Sequence, residues 1–244
     1  MFLNAYYAAD KFDINKRPDW FVQDTETGYY DKNLDETEAF LSRRAALVRM
    51  DKRHNGKAIV KTHSANLAVE SCALIPAGIT MSAVYVVRDP RDVVVSFADH
   101  FGHSIDDAIT VLSDARRVTS GEGKMPQFLG SWSSNVQSWL DEDDFPVCVV
   151  KYEDLHANPQ VEFRRVLEAL HERVHDGRVF TAIQLTTFER LREAEETHGF
   201  GQRSEHQERF FRRGSVGGWR DVLSPHQVER IQNDHHQVMT RLGY

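Results

Sequence analysis

The sequence has little cysteine, no excess of positive charge and no long apolar run, and each shortage removes a class of protein. Cysteine occurs twice in 244 residues. Cys72 and Cys148 sit in apolar surroundings without metal-ligand spacing, so a disulfide scaffold and a cysteine-built metal site are excluded. Both are expected as buried free thiols in a reducing compartment, the cytoplasm. Lysine and arginine number 30 against 37 aspartates and glutamates, a formal charge of −7. That argues against holding bulk nucleic acid through a basic face. An anion must instead be held by a local basic constellation working against the mean field. No apolar run approaches the ~18 residues a membrane span needs. Met1 to Asp10 lacks the basic start and cleavage signature of a secretory signal. Repeats and Pro/Gly/Ser linkers are lacking too, so one domain over residues 1–244 is expected. What the chain does have is ordinary globular composition, 41% apolar and 27% charged.

Three short apolar runs, Ala58-Ile59-Val60, Ala83 to Val87 and Val147 to Val150, are β-branched-rich and continuous. Parallel strands covered on both faces read this way. Helical patterns follow: Val93, Val94, Phe97 and Phe101 after Asp89-Pro90, and Phe163, Val166, Leu167 and Leu170 from about Pro159. Gln127 to Leu140 reads as a helix with Trp132, Val136, Trp139 and Leu140 on its apolar face, and Val228, Ile231, Val238 and Leu242 form a closing one. Strands alternating with helices give an α/β fold with a parallel sheet flanked by helices on both faces. In such sheets ligands bind beyond the carboxyl ends of the strands.

Chemistry-bearing residues stand at those ends. Lys61-Thr62-His63 follows the first run, bringing a cation and an imidazole able to act as general base. With 12 histidines in the chain, His63 also fits a solvated or locally bonded side chain. Arg88-Asp89-Pro90-Arg91-Asp92 follows the second run, with Ser96 beyond it. Arg88, a helix N-terminus and Ser96 could clamp a phosphate; alternatively the arginines and aspartates pair among themselves. Phe210-Phe211-Arg212-Arg213-Gly214, then Gly217-Gly218-Trp219-Arg220, combines aromatic faces, guanidinium forks and glycines that allow close approach. A surface loop is the plainer reading of that segment.

Taken together, these segments resemble the sulfotransferases that use 3′-phosphoadenosine 5′-phosphosulfate (PAPS). Val87 to Ser96 is similar to their 3′-phosphate motif. Phe211 to Gly214 with Gly218-Trp219-Arg220 is similar to their Arg-Lys-Gly…Gly-x-Trp-Lys loop. Lys61-Thr62-His63 matches their Lys-Thr-His segment, and Tyr152-Glu153-Asp154 their Tyr-Glu-Asp turn. The order agrees from about residue 57 onward. The resemblance implies a P-loop-like sulfotransferase fold and transfer of a sulfuryl group from PAPS, without metal, to a hydroxyl or amine of a small-molecule acceptor. It implies His63 as base and Lys61 steadying charge on the moving group. Arg88 and Ser96 would hold the 3′-phosphate, with Arg212, Arg213 and Gly214 closing over it. Tyr152 and Thr186-Thr187-Phe188 would line the adenine pocket, with Phe210 and Phe211 near the ring.

One family element has no counterpart: the basic-Ser-Gly-x-Thr-Trp loop for the 5′-phosphosulfate. The first strand and this loop are expected upstream of Met1, with Met1 to Tyr7 continuing the helix after the loop. A second reading is therefore a degenerate or truncated sulfotransferase-like protein that binds adenosine 3′,5′-bisphosphate, or a partner, without catalysis. Tyr6, Tyr7, Trp20, Phe21, Tyr29 and Tyr30 read mostly as core, with some available to an acceptor pocket. His103 to Phe128 reads as a polar, irregular segment, either a cover over the site or a plain loop. Arg220 to Glu229 partly resembles the family's dimer motif, but Ser224-Pro225 replaces Thr-Val, which leaves at most a weak homodimer.

Overall fold

The computed structural model describes residues 1–16, 21–23, 36–53, 58–69, 72–119 and 126–244. Trp20, Tyr29, Tyr30, Gly121 and Gly123 lie outside the described residues. In chain order the helices and strands are α1 (Phe2–Ala8), β1 (Phe21–Gln23), α2 (Glu36–Arg53), β2 (Ile59–Lys61), β3 (Ala68–Val69), β4 (Cys72–Ala73) and β5 (Ala83–Val87). Then come α3 (Pro90–Phe101), α4 (Ile105–Ser113), β6 (Val118–Thr119), β7 (Gln127–Phe128), α5 (Trp132–Leu140) and β8 (Val147–Lys151). The rest is helical: α6 (Tyr152–Ala157), α7 (Pro159–Ala169), α8 (Asp176–Leu185), α9 (Phe188–His198) and α10 (Pro225–Leu242). All three expected runs form strands. β1 is an additional one, paired in parallel with β2.

Two compact units are present. The first comprises Met1–Arg17, Val84–Leu112 and Cys148–Tyr244. In it β5 pairs with β8, and one cluster joins Ala5, Tyr6, Val150, Phe163, Leu167, Val179 and Ala182 from α1, β8, α7 and α8. Each large side chain so buried contributes about 1.5–3 kcal/mol. The Tyr6 hydroxyl stays satisfied by donating to the Arg173 carbonyl at 2.7 Å. A second cluster places Val94, Ala98, Ile109, Leu112 and Ile231 between α3, α4 and α10. α4 corrects the irregular reading of residues 103–128. Its acidic first turn, Asp106 and Asp107, looks like loop composition, but it suits a helix N-terminus, and Ala108, Ile109 and Leu112 are buried behind it.

The second unit comprises Pro18–Ala83 and Ser113–Val147. Its core gathers Ala39 and Phe40 of α2 with Leu74 and Phe128. The helix expected over Gln127–Leu140 is shorter than its pattern. Gln127 and Phe128 pair with β6, Gly130 turns the chain at φ +63°, and Ser131 starts α5 by accepting from Ser134 N–H at 3.0 Å. After β2 comes the antiparallel pair β3–β4 rather than a helix. Both cysteines are free and half-buried, not fully buried as expected.

Candidate functional site

In the first unit the site is built on the start of α3. β5 ends at Val87, Pro90 occupies the first helical turn, and Asp89 caps it by accepting from Arg91 N–H at 2.9 Å. Asp89 also grips the Arg91 guanidinium, from Nε at 2.8 Å and Nη2 at 2.7 Å. The internal pairing foreseen for this motif is therefore real for Arg91. Arg88 does more. Its guanidinium lies 4.4 Å over the Tyr152 ring, donates to the Ser215 carbonyl at 2.9 Å and stands 3.5 Å from Asp92. Two residues named from separate motifs, Arg88 and Tyr152, are thus in contact.

The loop after α9 lies along α3. Asp92, only 4% exposed, accepts from the backbone N–H groups of Gly217 at 2.7 Å and Trp219 at 3.0 Å. Two turns on, Asp99 accepts from Arg212 at 2.9 Å and from Gln207 at 2.8 Å. Asp92, Ser96 and Asp99 are spaced i, i+4, i+7 and share one helix face. Ser96, exposed, therefore sits between the two carboxylates that fasten the loop. A third carboxylate, Glu195 of α9, is 4% exposed and accepts from the N–H groups of Phe210 at 2.8 Å and Phe211 at 2.9 Å.

The remaining expected residues of this unit fall into two groups. Gly214, at φ +59°, comes so close to Phe188 that a Cβ there would stand 2.2 Å from the ring. Thr187 caps α9, which sets Phe188 at its first position. The Thr186 hydroxyl bonds back to the Ala182 carbonyl at 2.6 Å. Phe210 and Phe211 turn into an aromatic group with Phe200, at ring distances of 4.8 and 5.3 Å, backed by Ile14 and Leu191. Arg213 is exposed. Trp219 is flanked by the guanidinium groups of Arg91 at 4.3 Å and Arg220 at 4.4 Å.

In the second unit Lys61 closes β2 and His63 stands in the turn beyond. Partial desolvation, then the charges of Lys61, Arg43 and Arg117, pull the His63 pKa down to about 4. Its imidazole is therefore neutral near pH 7. Arg43 is 1% exposed, with its pKa lowered to about 10 by burial. It donates to the Pro126 carbonyl and, at 3.5 Å, toward Thr62 Oγ1. The turn itself is held from α5. Asn135 Nδ2 donates to the His63 carbonyl at 3.2 Å and to the Leu129 carbonyl at 2.9 Å, and Trp139 Nε1 donates to the Ser64 carbonyl at 3.2 Å.

The profile of the sulfotransferase domain matches residues 42–243. The chain belongs to that family. Relatives include rat sulfotransferase 1A1, 26% identical over 167 residues, covering 66% of this chain and 56% of the rat protein. Another is cytosolic sulfotransferase 12 of Arabidopsis thaliana, 29% identical over 184 residues, covering 71% of this chain and 53% of that protein. The chain thus spans about half the length of these relatives. Among solved structures, a mouse sulfotransferase complexed with PAP aligns with TM-score 0.58 and 15% identity, over 97% of this chain and 89% of that one. Retinol dehydratase with androsterone and the inactive cofactor PAP aligns with TM-score 0.56 and 19% identity, over 85% of this chain and 62% of that one. These likenesses agree on the sulfotransferase fold.

The sequence reading passed over several residues that organise the site. Asp92 was visible only as a partner for arginine. Asp99 could have been found from its helical spacing to Asp92 and Ser96. Glu195, Gln207 and Asn135 carry no local signal, because the contacts that matter here, to Phe210, Asp99 and His63, lie 15, 108 and 72 positions away.

Proposed function

We propose that the chain, as a single sulfotransferase-like domain over residues 1–244, transfers a sulfuryl group from PAPS to a hydroxyl or amine of a small-molecule acceptor. In this reading the bond from sulfur to the oxygen on the 5′-phosphate breaks and a bond from sulfur to the acceptor's oxygen, or to its nitrogen in an amine, forms. The acceptor's proton passes to His63, and adenosine 3′,5′-bisphosphate leaves. Lys61 offsets negative charge on the moving group. Arg88, Ser96 and the Arg212-Arg213-Gly214 stretch take the 3′-phosphate, while Tyr152, Thr186, Phe188, Phe210 and Phe211 belong to the adenine side. Such a transfer draws on alignment, positive charge and a base, which these residue types supply.

The observation that carries the reading is the fastening of the Arg212–Trp219 loop to α3 at Asp92 and Asp99, on either side of Ser96. It gathers on one helix face the types of group a ribose phosphate needs: guanidinium forks, a hydroxyl and a glycine that permits close approach. The retinol dehydratase chains solved with androsterone and with retinol indicate small alcohols as the first acceptors to try.

Calorimetry with adenosine 3′,5′-bisphosphate and a transfer assay with PAPS test this together. Arg88→Ala should weaken bisphosphate binding by about 2–5 kcal/mol, and equal affinity would move the phosphate site elsewhere. His63→Ala should slow transfer by about 10²–10⁴ while leaving that affinity intact. Tight binding by the unaltered chain with no transfer to any alcohol would favour the second reading, a sulfotransferase-like binder without catalysis.

A further inference from the structure

We infer that Asn135 is the positioning residue that aims His63 in the transfer reaction, with Trp139 one helical turn on as its support; the inference rests on the base role proposed above for His63. His63 lies beyond the end of β2, in a turn with no sheet or helix to fix its backbone. What fixes it instead is one face of α5. Asn135, Ser138 and Trp139 stand at i, i+3 and i+4 and so face the same way. Each takes a different backbone group of the turn. Asn135 Nδ2 donates to the His63 carbonyl at 3.2 Å, Trp139 Nε1 to the Ser64 carbonyl at 3.2 Å, and Asn66 N–H donates to Ser138 Oγ at 2.9 Å.

Asn135 is the member closest to the base, and its amide nitrogen is committed on two sides. Of its two hydrogens, one goes to His63 and the other to the Leu129 carbonyl at 2.9 Å. It therefore ties the His63 peptide to the strand-to-helix turn in front of α5. That turn is itself held by Leu129 N–H and Gly130 N–H donating to the Arg117 carbonyl at 2.9 and 3.0 Å. Next to His63 in the chain, Thr62 Oγ1 accepts from Ser64 N–H at 2.9 Å, and Ala65 N–H donates to the Phe128 carbonyl at 2.8 Å. With these in place the peptide planes flanking His63 cannot rotate freely, so the direction in which its side chain leaves the backbone is held in part by α5. Asn135 bears no charge, so its loss should leave the attraction of the donor's phosphates unchanged. An error of about 1 Å in the aim of a base costs on the order of 10²-fold in rate.

The test uses the full chain, a transfer assay and NMR titration of the His63 imidazole. Asn135→Ala should lower kcat by about 10–100-fold while KM for the donor and bisphosphate affinity stay within twofold or so. Asn135→Asp has the same size but no N–H to give, and should be as slow as Asn135→Ala; it also covers the case in which the alanine variant fails to fold. Asn135→Gln, which restores a donor, should recover part of the loss. In Asn135→Ala the imidazole should titrate higher than in the unaltered chain, as the ring leaves its partly desolvated place beside Lys61, Arg43 and Arg117. Wild-type kcat in either Asn135→Ala or Asn135→Asp overturns the inference. A chain inactive from the outset, or one as fast with His63→Ala, sinks the base reading instead. The NMR arm still decides whether Asn135 controls the ring, since an unmoved titration in the alanine variant counts against it.

Discussion

Gly214 is the position where one atom decides most. Its φ of +59° lies in the left-handed region, and a Cβ would meet the Phe188 ring at 2.2, 2.5 and 2.8 Å. The last of these is the ring's root carbon, so the whole ring must move rather than only its tip. For an alanine the backbone alone costs about 1–2 kcal/mol, and the displaced ring adds to that. Gly214→Ala should therefore weaken bisphosphate binding at least about tenfold, which calorimetry would read. Unchanged affinity would mean that the loop does not close over a ligand at this glycine. Both residues were legible as candidates from their motifs. Their contact was not, because 26 positions separate a helix start from a loop glycine and nothing in a linear pattern records which ring a glycine makes room for.

Among elements, α3 and the loop it carries form the working pair. Asp92 holds two backbone N–H groups of that loop, and leaving buried donors without an acceptor costs about 1–3 kcal/mol each. Asp92→Ala should let the 212–220 loop detach, seen as faster limited proteolysis within it and a fall in bisphosphate affinity. Asp92→Asn, which keeps one accepting oxygen, should lie between. A loop equally resistant in the alanine variant would show that the fastening lies elsewhere. Strands β2, β5 and β8 were readable because continuous β-branched runs have few other uses in a folded chain. β1 was not, since Phe21–Gln23 is three residues long, too short for any period to declare itself. α5 was over-extended because Gln127 and Phe128 happen to keep the helical spacing, while Gly130 and Ser131, which delay its start, are ordinary residues until their backbone is seen.

At the scale of the molecule, family membership was legible because four short motifs recur in register, each made of residue types the chemistry demands. The carboxylates that hold those motifs in place were not, since Asp, Glu and Asn on a surface helix look the same whether they fasten a loop or face water. The last residue of the sequence belongs to this hidden framework. Tyr244 gives its hydroxyl hydrogen to Glu153 Oε2 at 2.9 Å. The other Glu153 oxygen takes the Asp89 N–H at 3.0 Å, immediately after Arg88. Burial first, then Glu153, raises the phenol well above its usual titration range, so it remains a donor at any ordinary pH. Lys151 completes the attachment, bonding the Leu242 carbonyl and lying 5.1 Å over the Tyr244 ring.

Tyr244→Ala would therefore act at a distance in sequence of 155 positions from Asp89, loosening the Arg88 turn without a change near it. Bisphosphate titration of Tyr244→Ala beside the unaltered chain should show a drop of about tenfold for one charged hydrogen bond and a ring removed. Undiminished affinity would make the tail a bystander. A single phenol beyond α10 would then decide how firmly the Arg88 turn is held.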